Sequence, residues 1–238
     1  PRGFLGLSIR VEPADIGFLG GSAVDAAPRL LGLLLYRYLA PGMHLVARIA
    51  EVEAYAHDDP ASHAFRGPSP RNQVMFGPPG FAYVYLIYGI HHCLNVVTGS
   101  DGVGEAVLIR AAEPLAGIEA MWANRYREPP AGSRPGTAQP PAGSRERTRL
   151  LAGPGSLCKA LAIQKQLHNG TPLTGQGAIT LATEVEIADG SREAPALYAA
   201  RRPEPIVASP RIGISKAQER LWRFVDSGSP SLSRPLRR

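Results

Sequence analysis

Hydrophobic and polar positions alternate with a changing period along this chain. From Asp25 onward, Leu30, Leu31, Leu34, Leu35 and Tyr38 recur at helical spacing. Asp25 can accept from the first backbone amides and Pro28 suits a first turn, so a helix starting near Asp25 is predicted. Over residues 43–55 the period drops to two, with Val46, Ala50, Val52 and Ala54 set against Ile49, Glu51, Glu53 and Tyr55. That alternation predicts a strand whose one face carries Ile49, Glu51, Glu53 and Tyr55 together. Residues 56–80 are polar and rich in Pro and Gly, and read as loop. The aromatic and β-branched run FAYVYLIYGIHHCLNVV (residues 81–97) predicts a hairpin turning at Tyr88-Gly89. Further strands are predicted at 105–112, 178–187 and 205–214. Helices are predicted near 117–126 and, capped by Ser156, from there to Leu167. Residues 217–225 fit neither period. Hairpins outnumber regular βαβ units, so the fold class is α/β or α+β with a largely antiparallel or mixed sheet.

One stretch breaks the pattern. Residues 128–147 read EPPAGSRPGTAQPPAGSRER, with PPAGSR occurring twice. Such a segment cannot bury enough apolar surface to offset its ordering entropy, and is expected to be a flexible surface loop. With 238 residues, the chain is read as one domain over 1–238 with this loop inside it. Lys and Arg total 26 against 20 Asp and Glu, a net charge of +6, and the pI is near 9.6. That balance makes a polyanion the first partner to consider. Two cysteines, Cys93 and Cys158, cannot form a disulfide framework and point to a reducing compartment. No apolar run reaches the roughly 20 residues of a membrane span, and the first twenty residues lack a secretory pattern. The expectation is a soluble cytoplasmic protein.

The chemistry-bearing positions are few. Glu51 and Glu53 sit about 7 Å apart along a strand, a spacing like that of paired carboxylates in sugar hydrolases that activate a water. An E-x-E pair is ordinarily an exposed polar face, but the apolar company of Ile49 and Tyr55 implies at least partial burial. Arg110, inside the apolar strand AVLIRAA, needs an anionic or carbonyl partner, for which Glu53 is the natural candidate. Phe81 and Tyr83 suit sheet packing, whereas Tyr88, at a turn beside glycine, is either a chance surface residue or a wedge for a partner. His57, His63, His91, His92 and Cys93 show no closed-site metal spacing, and GPPG and GPGS lack the Lys-Ser/Thr of a phosphate loop.

Several motifs together carry a resemblance. AEVEAY (50–55), His63, SPRNQVMF (69–76), YVYLIYG (83–89), Asn95, VLIRAAEP (107–114), GPGSLCKALAI (153–163) and PRIGI (210–214) stand in the order found in the alkyladenine (3-methyladenine) DNA glycosylases. The resemblance runs from about Arg10 to Ser231. It implies a compact α/β (α+β) domain with a curved, mainly antiparallel sheet, flanking helices and a protruding β-hairpin. It also implies a monofunctional enzyme that flips alkylated or deaminated purines from double-stranded DNA and hydrolyses the N-glycosidic bond, for base excision repair. No cofactor and no metal are implied, and the expected form is a monomer in the bacterial cytoplasm at the nucleoid. Carried over by motif, Glu53 matches the general base, and Arg110 the arginine holding the attacking water. Ile212 matches a residue offering that water a backbone carbonyl. Tyr55, His63, Tyr85 and Asn95 match the base pocket, Tyr88 the intercalating residue, and Arg71, Met75, Ile90 and His91 DNA-contacting positions. His91 stands where such enzymes often have another aromatic, and the 128–147 stretch looks like an insertion.

Two other readings remain open on residues alone. The chain could bind damaged or bent DNA without catalysis, or it could hydrolyse a small glycoside with Glu51 and Glu53 as its carboxylate pair.

Overall fold

The computed structural model describes residues 8–126, 139–175, 177–188, 194–203 and 205–236. In chain order, the described residues run β1 (Ser8–Pro13), α1 (Ala23–Leu30), β2 (Leu34–Ala40), β3 (Met43–Tyr55), β4 (Ala82–Ile87), β5 (His91–Thr98) and β6 (Glu105–Ala116). There follow α2 (Ile118–Arg125), α3 (Arg145–Thr148), α4 (Pro154–Ala160), α5 (Lys165–His168), β7 (Ile179–Ala188), β8 (Ala196–Ala199), β9 (Ile206–Ser209) and β10 (Arg223–Asp226). Among these residues the strands form a 10-stranded sheet in the order β1-β7-β2-β3-β6-β5-β4, with β8 on β7 and a β9–β10 pair on β3. Every strand pair is antiparallel. With its few helices, the class is α+β. None of the described helices is long and apolar enough to cross a membrane.

The centre of the sheet is the β3–β6 pair, whose register shifts at three places, between Val46 and Ala47, Ile49 and Glu51, and Glu51 and Val52; the last two compensate each other. Ile49 pairs with Ala112 and Glu51 with Ala111, so Ala50 is an extra residue on β3. Immediately after, Val52 pairs with Ile109, so Arg110 is an extra residue on β6. Each bulge slips the period of its strand by one. On β3 the residues in the main core are therefore Leu45, Ala47 and Ile49, then Val52 and Ala54; on β6 they are Val107 and Ile109, then Ala112. The expectation that Ile49 shares a face with Glu51 and Glu53 is overturned: Ile49 lies in the core and the two carboxylates point the other way. Strict alternation would have placed either the glutamates or the apolar residues on the wrong side, at roughly 1.5–3 kcal/mol for each large aliphatic side chain exposed.

Helices α1, α2 and α4 pack on the core face, where Leu30, Met121, Leu157 and Leu161 meet β3, β5 and β6. The opposite face has smaller apolar clusters at its two ends. Leu34, Tyr36, Val46 and Val185 form one, and Ala64, Met75, Tyr83, Val97 and Ala106 form the other under the 56–80 loop. Between them lie the buried charges.

Several local expectations need correction. The first helix starts at Ala23 with Ser22 as its cap; the Ser22 hydroxyl accepts from the Asp25 amide and donates to the Asp25 carboxylate. Pro28 thus sits late in the helix, which ends two residues on. Gly32, at φ 81°, turns the chain where a Cβ would meet the Arg201 carbonyl at 1.6 Å. Leu34, Leu35 and Tyr38 accordingly belong to β2 and not to a continued helix. The cap of α4 is Gly153 with Pro154 at the first position, not Ser156, and the chain breaks at Ala162 (φ 52°) before restarting as α5. Only Ile206–Ser209 of the expected 205–214 strand is extended pairing, while the ambiguous 217–225 region contains the start of β10. Of the Pro/Arg-rich stretch, residues 128–138 lie outside the described residues, and Ser144 caps a helical turn at Arg145–Thr148.

Candidate active site

The bulged centre of the sheet delivers Glu53, Glu51 and Arg110 to one buried spot. Glu53 is fully buried, and three donors hold its carboxylate. The Ile212 amide donates to Oε1 at 2.7 Å. The Tyr55 hydroxyl donates to Oε2 at 2.9 Å, and Arg110 Nη1 donates to the same oxygen at 3.1 Å. Arg110 Nε reaches Glu51 Oε1 at 3.0 Å. Burial works against the charge of Arg110, but the two carboxylates hold its pKa above the ordinary value. The expected Glu53–Arg110 pairing is present in the structure. Ile212 was expected to offer its carbonyl; the contact found is its N–H on Glu53.

Glu51 is also fully buried, and its two oxygens accept from Arg110, Arg223, and the amide and hydroxyl of Ser233. Burial raises its pKa, but hydrogen bonds from Arg223 and Ser233 outweigh that, so the carboxyl lies below its ordinary value. A group so saturated with donors is poorly placed to pass a proton to a glycoside, which removes the support for Glu51 and Glu53 as an acid/base pair.

A cavity of about 630 Å³ opens beside this cluster, lined by Tyr55, His63, Tyr83, Tyr85, Asn95, Arg110 and Ile212 among others. Tyr83 and Tyr85 come from β4, and Asn95 from β5 opposite Tyr83. The His63 ring meets Tyr85 edge-on with centroids 4.5 Å apart, and its Nδ1 lies 2.9 Å from the Tyr83 hydroxyl. Packing against these rings and the nearby Arg71 charge pull the His63 pKa below its ordinary value, favouring a neutral imidazole. Burial pushes the Tyr83 phenol up to about 12 and raises those of Tyr55 and Tyr85 too, with Glu53 adding to the effect at Tyr55 and Cys93 at Tyr85. Asn95 Nδ2 donates to the Tyr83 carbonyl at 3.0 Å. The far wall comes from residues 153–156 at the start of α4.

At the cavity's rim the hairpin turns through Tyr88 and Gly89, both at positive φ (53° and 72°), and the Ile90 amide closes onto the Ile87 carbonyl at 3.2 Å. Two left-handed central residues make this a type I′ turn, the form that matches strand twist. Tyr88 is 85% exposed and Ile90 71%. Arg71 and His91 are exposed as well, with the Arg71 guanidinium 5.8 Å from the Tyr85 ring centroid. Met75, expected among DNA-contacting residues, is buried among Tyr83, Val97 and Ala106 and packs the cavity wall instead.

Sequence reasoning missed one buried device. Arg211 stacks on Tyr55 (4.6 Å) and Trp222 (5.2 Å) and is paired through both terminal nitrogens with Asp59. Its Nη1 also donates to the Ala54 carbonyl at 2.9 Å. It thereby pins the turn that presents the Ile212 amide. An arginine between Pro210 and the apolar Ile-Gly-Ile carried the same signal that singled out Arg110.

The chain is similar to known proteins over most of its length. The family model described as methylpurine-DNA glycosylase matches residues 17–230. A protein of Nitrobacter winogradskyi is 42% identical over 95% of this chain and 89% of its own length. One from Nitrosospira multiformis is 42% identical over 91% of each chain, and one from Methanoculleus marisnigri is 42% identical over 91% of this chain and 96% of its own. All three bear the name "Putative 3-methyladenine DNA glycosylase".

Proposed function

Because the chain belongs to the methylpurine-DNA glycosylase family, we propose that it releases methylated purines from duplex DNA by a hydrolysis in which Glu53 activates the water. The observation that carries this reading is the held carboxylate beside an aromatic cavity, whose lining includes its three donors Tyr55, Arg110 and Ile212. An ionised carboxylate has about four acceptor positions. Arg110, Tyr55 and Ile212 occupy three of them, leaving the fourth, on Oε1, as the one that the water O–H takes in this reading. Arg110, bonded to the same carboxylate, is placed to orient that water with its charge. With its proton drawn toward Glu53, the water attacks the sugar carbon as the bond to the base breaks, and the carboxylate favours the positive sugar character that develops.

The cavity accounts for the substrate class. Taking a base from the stack costs a few kcal/mol. Tyr55 and Tyr85 offer it aromatic faces, each stacking contact contributing about 1–3 kcal/mol. A purine alkylated at a ring nitrogen such as N3 or N7 carries positive charge, which adds cation–π attraction to those rings and makes the base a good leaving group. His63 and Asn95 supply polar contacts at the cavity's side. Tyr88, at the exposed turn, fills the space left in the duplex. The net charge of +6 supports sequence-independent contact with phosphates, for which exposed Arg71 lies 5.8 Å from the Tyr85 ring centroid and exposed Ile90 and His91 follow the Tyr88-Gly89 turn. The reading extends to a monomer acting in base excision repair in the cytoplasm, at the nucleoid.

Glu53→Gln is the direct test. Release of methylated purine in single turnover is expected to fall by roughly 10²–10⁴-fold, while affinity for the lesion duplex persists. Undiminished release would remove Glu53 from the chemistry.

A further inference from the structure

Resting on the reading of Glu53 above, the geometry points to Glu51 as a positioning residue for the reaction, locked in place by Ser233 near the end of the described chain. Glu51 touches neither the cavity nor the substrate's expected place. It acts through Arg110, whose guanidinium is held on three sides: Nε on Glu51 at 3.0 Å, Nη1 on Glu53 at 3.1 Å, and Nη2 near the Ser233 hydroxyl at 3.4 Å. A planar guanidinium fixed at Nε has its remaining donors fixed in direction. Glu51 therefore decides where Arg110 Nη1 meets Glu53.

The lock on Glu51 comes from far along the chain. The Ser233 amide and hydroxyl each donate to Glu51 at 2.6 Å. Arg223 ties the same segment down, its Nε on Glu51 at 2.8 Å and its Nη2 on the Arg234 carbonyl at 2.8 Å. Ser231 and Ser229, just upstream, are buried. The residues at 231–234 thus back the catalytic pair from the side away from the cavity.

The charges explain why this matters to Glu53. Two carboxylates and two guanidinium groups, those of Arg110 and Arg223, balance within the cluster. The other titratable groups facing it are Tyr55 from β3 and Tyr85 and Cys93 from the hairpin, with Arg211 stacked behind Tyr55. Neutralising Glu51 leaves Arg110 to Glu53 alone and the cluster with a net positive charge, which makes Glu53 a weaker base.

The test compares Glu51→Gln and Ser233→Ala with Glu53→Gln on a duplex containing one methylated purine, following single-turnover rate, duplex affinity and pH profile. Glu51→Gln is expected to slow release by roughly 10- to 100-fold at unchanged affinity, and to move the acid limb of the profile to lower pH. Ser233→Ala, at a half-buried site that leaves the fold intact, is expected to slow release by roughly 5-fold at unchanged affinity. If Glu51→Gln does not fold, the Ser233→Ala rate decides alone. Wild-type rates in the folded variants while Glu53→Gln is inactive would overturn this role and leave the proposed function standing. A loss in Glu51→Gln as deep as in Glu53→Gln would assign proton transfer to Glu51 and equally overturn it. Turnover by Glu53→Gln would instead remove the underlying reading.

Discussion

Replacing Arg211 by methionine isolates the buried clamp beneath the cavity. The side chains of Arg211 and Asp59 are both fully buried, and their pairing uses both guanidinium termini. Without Arg211, Asp59 retains, among the described residues, only the Ala61 amide at 3.1 Å, and a carboxylate is left in the interior without its counter-charge. Breaking a buried pair by removing one partner costs about 3–5 kcal/mol, and lost stacking on Tyr55 and Trp222 adds about 0.5–2 kcal/mol. For a chain of this length each kcal/mol shifts the midpoint by roughly 2–4 °C, so the pair alone is worth a drop of roughly 6–20 °C in Tm. Thermal and urea unfolding followed by circular dichroism measure it. Arg211→Met combined with Asp59→Asn should recover part of the loss, because the uncompensated charge has gone. A single variant less than about 1 kcal/mol below wild type, or a double variant no better than the single, would refute the claim that charge burial dominates here.

Other outcomes follow from the rim and the surface. Tyr88→Ala should leave stability unchanged to within about 0.5 kcal/mol, since the ring is exposed in the free protein. It should slow release from duplex by roughly 5- to 150-fold, the worth of one stacking contact, with little effect on single strands; equal losses on both would argue against a wedge. His57 Nδ1 lies 2.7 Å from the buried Glu105, which raises the histidine's pKa above 6.5. A raised folded value means stabilisation that is fully present below 6.5 and lost as pH rises through the folded value. The Tm difference between wild type and His57→Gln should therefore shrink with rising pH, and a difference independent of pH would contradict the contact.

Where a pattern was local, the sequence showed it. The extended run of β3 and the Tyr88-Gly89 turn depend on neighbours along the chain, and both are found, although the period of β3 slips by one at Ala50. Arg110 announced itself because a charge in an apolar strand must find a partner. What stayed hidden depended on distant pairing. Leu34 and Leu35 sit at helical spacing from Leu30 and Leu31, and only the approach of Arg201 to Gly32 shows why the helix stops. The bulges at Ala50 and Arg110 are properties of two strands in register, invisible in either alone. Ser233 gives no local hint of touching a residue 182 positions away.

Ala50 and Arg110 can be viewed as paired spelling irregularities, each intelligible only beside the other. Dropping one would rotate everything downstream on its strand by half a repeat, turning Glu53 inward or Ala112 outward. The two places are thereby coupled: a one-residue deletion at either would leave the ends of the sheet in register and set the two carboxylates and the guanidinium apart.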